Sequence, residues 1–169
     1  MNNLYDATIP AFVRGLRNLR SWLKKSETHA GEAGTPMSEF LEARLAPDMH
    51  NLIQQVGYAY FTALEAAQNL SGKASPEMGY DETTAGELSD SIDRVVAHLE
   101  SIRPEDMEKT APKEVETFLV PDRKVRVDKY VQRLAVPNFY FHIVTAYGIL
   151  RHKGVPLGKA DYLAGSSAS

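Results

Sequence analysis

Asn138 and His142, one helical turn apart, are the residues of this chain whose types and spacing best suit chemistry. At about 3.6 residues per turn they stand about 40° apart, so on a helix the amide stacks over the imidazole. Phe139, Ala146 and Ile149 fall on the same arc, which turns His142 toward the interior. An interior imidazole suits general acid or base work near neutral pH. It also needs a partner for each ring nitrogen, because an unsatisfied polar group in a core is costly. The plainer alternative is a core histidine satisfied by Asn138 or by a group on another helix, with no chemistry at all.

An earlier helix offers partners. Leu52, Val56, Ala59, Ala63, Ala67 and Leu70 form its apolar arc, and Gln55 sits at the edge of that arc, within reach of the interior. His50 lies about 140° from Gln55 on a regular helix and faces away from the arc. It joins a site only if the helix start is irregular or the preceding connection folds over it. Tyr58 is a candidate pocket-lining ring, as are Tyr140 and Tyr147. Other combinations are weaker. Asp81 and Glu82 precede a helix entry and read as support for its positive end, while Asp90 and Asp93 read as a solvated face. The run from Gly154 to Lys159 has the wrong spacing for a phosphate-cradling loop. With no cysteine anywhere, thiolate nucleophiles, cysteine zinc sites and disulfides are excluded together.

Four long helices position these residues. The first is expected over 9–25, where Ile9, Phe12, Val13, Leu16, Leu19 and Leu23 recur at helical spacing behind Thr8 as N-cap. A connection over 26–36 and a short helical segment over 38–45 follow. The second helix is expected from Pro47–Asp48 to Leu70, with Ser71–Gly72 as its stop. Thr84 and Glu87 have capping-box spacing and open the third, which Pro104 closes. His98 falls just outside that helix's apolar stripe and reads as a boundary residue. Between 105 and 136 the pattern changes to alternation, with Val115, Thr117 and Leu119 before Pro121 and Val125 and Val127 after it, as in a short β-hairpin. The last helix is expected from Pro137 to Lys153, with Gly154 in the C′ position. The fold class is therefore all-α: an up-down four-helix bundle with a short irregular or β-hairpin insertion before its last helix.

The whole composition suits that architecture. With 169 residues, 43% hydrophobic and 24% charged, the chain has the size and balance of one globular domain. That domain is expected over 1–165, with 166–169 a frayed tail. A net charge of −3 gives no basic surface for nucleic acid. The apolar run over 139–150 is too short to span a bilayer, and no secretory signal opens the chain, so the cytoplasm is the expected compartment.

The run Pro137-Asn-Phe-Tyr-Phe-His142-Ile-Val-Thr-Ala-Tyr147, continuing through Ile149-Leu-Arg-His-Lys-Gly-Val155, resembles the C-terminal motif of an uncharacterised-domain family in the DinB/YfiT-like superfamily. Leu45-Ala-Pro-Asp-Met49 with Gln55-Val56, and Asp81-Glu-Thr-Thr84 with Glu87-Leu88, fit the same family in the same order. The resemblance covers nearly the whole chain and implies an up-down four-helix bundle, often a homodimer. Many DinB-like proteins hold a metal through three histidines, one from the second helix and two, four apart, from a later one. Some are thiol-dependent transferases, isomerases or hydrolases. Carried onto this sequence, the later pair falls on Asn138 and His142 and the second-helix ligand falls on Gln55. Two imidazoles are thus replaced by amides, which are weak neutral ligands for zinc or nickel. Three readings follow. The first is a small-molecule-binding bundle, a metal-independent enzyme of isomerase or cyclase type with His142 as acid–base group and Asn138, Gln55 and Tyr58 contacting substrate. The second is a hydrolase or transferase using a divalent metal such as zinc or nickel on His142 and His50. The third is a non-catalytic dimeric structural or interaction protein.

Overall fold

The computed structural model describes residues 4–163; the tail expected over 166–169 lies outside the described residues. Helix α1 runs Leu4–Ala33, longer at both ends than its apolar stripe suggests. Thr8 is not its N-cap. It is fully buried inside the helix, where its hydroxyl donates to the Leu4 carbonyl at 2.7 Å. Pro10 is tolerated because both it and Asp6, whose carbonyl loses a donor, face solvent. The C-terminal extension, expected to be a connection, stays helical because Ser26 and Ala30 are buried, with the Ser26 hydroxyl donating to Leu23. A short helix α2, Met37–Leu41, precedes an irregular stretch to Asn51.

Helix α3, Leu52–Ser71, starts five residues later than Pro47 proposes. Its entry is a capping box in which the Asn51 side chain accepts from the Gln54 amide and the Gln54 side chain accepts from the Asn51 amide. Gly72 ends it in the left-handed conformation at φ 71°. Helix α4, Ala85–Glu100, opens with the expected Thr84–Glu87 capping box. Glu87 accepts from the Thr83 and Thr84 amides, which hold its carboxyl below the usual carboxylate range. A helix absent from the sequence expectation, α5, follows at Pro104–Thr110, with Met107 in the core.

The insertion is a minimal antiparallel hairpin of β1 (Glu114–Val115) and β2 (Val125–Arg126), with Val115 opposite Val125. Only Val115 and Val125 of the alternating residues lie in strands. From Val127 the chain is already helical: α6 (Val127–Tyr130) passes through a π-helical turn, Val131–Ala135, into α7 (Val136–His152). In an unbroken α-helix the Pro137 ring would meet the Arg133 carbonyl, and the widened turn immediately before it removes that clash. Glu65 of α3 fastens the insertion to the bundle. Its carboxylate accepts from the Tyr130 hydroxyl at 3.0 Å, the Thr117 hydroxyl at 3.1 Å and the Phe118 amide at 3.1 Å. Beyond Gly154, at φ 89°, Val155 and Leu157 return to the core before α8 (Lys159–Leu163).

The long helices α1, α3, α4 and α7 form the up-down four-helix bundle, and α3 with α7 is its most extensive helix pair. The small residues Ala59, Ala63 and Ala67 are all fully buried on α3, which lets its neighbours approach closely. On the other side of α7, Gly15 of α1 provides the same closeness. A Cβ there would lie 2.7 Å from the ring of Phe139. Among the described residues, no helix is long and apolar enough to cross a membrane.

Candidate functional site

The α3–α7 seam brings together most of the residues singled out above. His142 is 6% exposed, with Ala146 and Ile149 buried along the same side of α7. Its Nδ1 lies 2.7 Å from Oε1 of Gln55, which is 1% exposed. The other end of that amide fixes the assignment. Gln55 Nε2 donates to the His50 carbonyl at 3.2 Å, so Oε1 faces the imidazole and Nδ1 carries the proton. In the neutral ring the lone pair is then on Nε2. That nitrogen bonds none of the described residues and is not among the enclosed polar atoms that lack a partner.

His50 enters the cluster by the irregular route. Because α3 begins only at Leu52, residues 46–51 are free to fold back, with Met49 bonded to Ala46, Leu52 to Ala43, and the Arg44 guanidinium to the Met49 carbonyl. The imidazole of His50 thereby packs on Tyr58 at 4.8 Å between ring centroids, and Tyr58 stacks on His142 at 5.3 Å and 17°. Burial first, and then the charge of His50, lower the His142 pKa to about 4. The ring is therefore neutral at pH values near neutrality.

Asn138 is placed differently. It is half-buried one turn before His142, but its Nδ2 donates to the Thr62 hydroxyl at 2.8 Å rather than contacting the imidazole. Thr62 in turn donates to the Tyr58 carbonyl, so the amide is tied to α3. Among the described residues Asn138 Oδ1 has no bonded partner and remains an acceptor. Tyr140 and Tyr147 do not join: Tyr140 contacts Phe139, and Tyr147 packs on Trp22 and Tyr162.

These residues do not fit a divalent ion. The His142 Nδ1 and Gln55 Oε1 atoms are spent on each other, and Asn138 is bonded to Thr62. No group of three or more histidine, aspartate or glutamate side chains among the described residues is arranged to hold a metal. His142 Nε2 and the His50 imidazole remain, both rings packed on Tyr58, with Asn138 Oδ1 the one amide oxygen still open, a poor donor set for zinc or nickel.

A cavity of about 340 Å³ adjoins the cluster at Tyr58, lined by that ring but not by His142, Gln55 or Asn138. Its other walls include Gly57 and Phe61 of α3, together with Tyr80 and Glu82 from the segment between α3 and α4. The sequence does not single out Gly57, Phe61 or Tyr80, and Glu82, expected there to support the start of α4, instead accepts from the Tyr60 and Ser91 hydroxyls. Gly57, alone in the middle of an otherwise strong helical pattern, was the one local sign of an opening.

The family and structural comparisons agree with this architecture. Residues 4–163 match the model of a family described as a domain of unknown function, DUF1993. The crystal structure of a DinB family member protein from Shewanella denitrificans is similar, with a TM-score of 0.89 and 36% identity. The similarity covers 98% of this chain and 94% of that one. No functionally curated protein matches.

Proposed function

This chain belongs to the DUF1993 family of DinB-like bundles, and from that premise we propose that it binds a small molecule at His142 and moves a proton on it without a metal. The observation that carries this reading is the divided imidazole: Nδ1–H held by Gln55, Nε2 left as a base and kept unprotonated by burial. A general base must carry a lone pair at working pH and sit in a fixed orientation. The Gln55 amide supplies the orientation, and stacking on Tyr58 restrains the ring's tilt. Asn138 Oδ1 would accept a hydrogen bond from the substrate. Abstraction and return of a proton, as in an isomerisation or cyclisation, asks no more of the site than this.

The test is solvent deuterium exchange into a panel of enolisable carbonyl compounds, with wild type and His142→Asn. Asparagine keeps a donor toward Gln55 and removes the base. Exchange should fall by about 10²–10⁴-fold in the variant, survive dialysis against a chelator in wild type, and level off above about pH 4. Equal exchange by both proteins, or loss of exchange on chelation, would contradict the reading.

The proposal extends to a cytoplasmic homodimer closed through the outer face of α7. Pro137, Phe141, Val144 and Gly148 lie within about 60° of arc on that helix. Phe141 is 54% and Val144 51% exposed, and Leu45, 47% exposed, packs over Gly148 to extend the stripe. Sedimentation should show a dimer for wild type and a monomer for Phe141→Glu; a wild-type monomer would refute the assembly.

A further inference from the structure

The cavity at Tyr58 has a chemistry of its own. Its walls are aromatic, with Tyr58, Phe61 and Tyr80 around the opening and the fully buried Tyr60 beneath. Tyr80 stacks on Tyr60 at 5.5 Å and meets Phe61 edge-on at 5.8 Å. It is held there by a backbone at φ 55°, a conformation that a bulky residue rarely adopts and that the surrounding contacts must enforce.

Into this apolar space projects one carboxylate. Glu82 Oε1 accepts from the Tyr60 hydroxyl at 2.9 Å and from the Ser91 hydroxyl. Its Oε2 bonds none of the described residues. Burial and the neighbouring carboxylate raise the Tyr60 pKa well above its ordinary value, so the phenol stays a donor to Glu82. Arg94 reaches Ser91 at 3.1 Å, while Asp81, Glu87 and Asp90 stand at the same end of α4, leaving the local balance negative.

Gly57 is the third observation. It lies inside α3 with no left-handed φ, and a Cβ added there would meet only the Tyr60 hydroxyl, at an ordinary 3.8 Å. Neither conformation nor packing requires glycine, which weakens a helix interior. What the missing side chain does is leave the cavity floor open.

We propose that this cavity binds a small organic cation, its ammonium group on Glu82 Oε2 and its apolar body against Tyr58, Phe61 and Tyr80. Aromatic walls with a single anionic group favour such a ligand, since the ring faces and the carboxylate both attract positive charge. An anion meets Glu82 unfavourably, and a neutral molecule leaves Oε2 without its countercharge. The site shares the Tyr58 ring with the His142 cluster but is not lined by His142, Gln55 or Asn138, and the proposal does not depend on the His142 reading.

The probes are phenethylammonium, its neutral counterpart phenethyl alcohol and its anionic counterpart phenylacetate, followed by amide chemical shifts in the full chain. The amine should shift residues 53–61 and 80–82 saturably at millimolar concentration, the alcohol should bind at least about tenfold more weakly, and the acid should not bind. Glu82→Gln keeps acceptors for Tyr60 and Ser91 and should weaken the amine by about tenfold. Gly57→Leu fills the floor and should abolish binding while leaving thermal stability intact. His142→Asn should bind the amine as wild type does, so failure of either proposal is separately visible. Equal binding of amine and alcohol, undiminished binding to Gly57→Leu, or no shifts with the amine would overturn the assignment.

Discussion

Lowering the pH from about 7 to about 5 should remove about 2 kcal/mol of stability through His142 alone. The folded state holds this imidazole at a pKa of about 4, against 6.5 for an ordinary histidine. On acidification the unfolded chain therefore takes up a proton first. The contribution is intact above about pH 6.5 and is lost progressively as the pH falls toward about 4. His98, whose pKa is also lowered by burial and then by the charge of Lys73, adds loss of the same sign. The carboxylates that the fold holds low, such as Asp106 and Asp161, act at lower pH. Denaturant melts across the range check this. His142→Asn should flatten most of the slope between about pH 7 and about pH 5 while staying within about 1 kcal/mol of wild type at neutrality, because its amide still donates to Gln55. An unchanged slope in the variant would remove His142 as its source.

Gly15→Val should cost about 3 kcal/mol, despite the better helix propensity of valine. The Cβ would fall 2.7 and 2.8 Å from two carbons of the Phe139 ring. That ring cannot retreat, since Phe139 is fully buried and packs on Phe12 at 4.6 Å. Strain at this point pushes α7 from α1, and Phe139 lies one turn from His142, so the loss should be accompanied by a changed His142 environment. Equilibrium unfolding of Gly15→Val, Phe139→Leu and the double variant provides the check. The smaller ring-free side chain should relieve part of the clash, so the double variant should be more stable than the sum of the single effects. Strict additivity would show that the two positions do not share this contact.

Much of this architecture was legible in local chemistry. Thr84 and Glu87 announced the start of α4, and Gly154 the end of α7, because caps are decided within a few residues. Asn51 and Gln54 carried the same kind of signal for α3, but Pro47 and Asp48 offered a competing start. The inward direction of His142 followed from its arc, and so did the reach of Gln55. What spacing could not supply was anything decided by distant contacts. Residues 26–33 stay helical because Ser26 and Ala30 are covered by the rest of the bundle. The π-turn before Pro137 is accompanied by the bond from Tyr130 to Glu65, sixty-five positions earlier. Asn138 turned to Thr62, a hydroxyl on another helix, rather than to the imidazole one turn away. His50 reached the cluster by a fold-back of its connection, and the walls of the Tyr58 cavity come from two segments that meet only in space.

The central claim is a neutral His142 with its proton on Nδ1 and its lone pair on Nε2. Long-range nitrogen–proton correlation spectra of the labelled imidazole, recorded through a pH titration, test it directly. Near neutrality the ring should show a protonated Nδ1 and an unprotonated Nε2, with a single titration at about pH 4. An ordinary titration at about pH 6.5, or a proton resident on Nε2, would contradict both the Gln55 bond and the base assigned to this site.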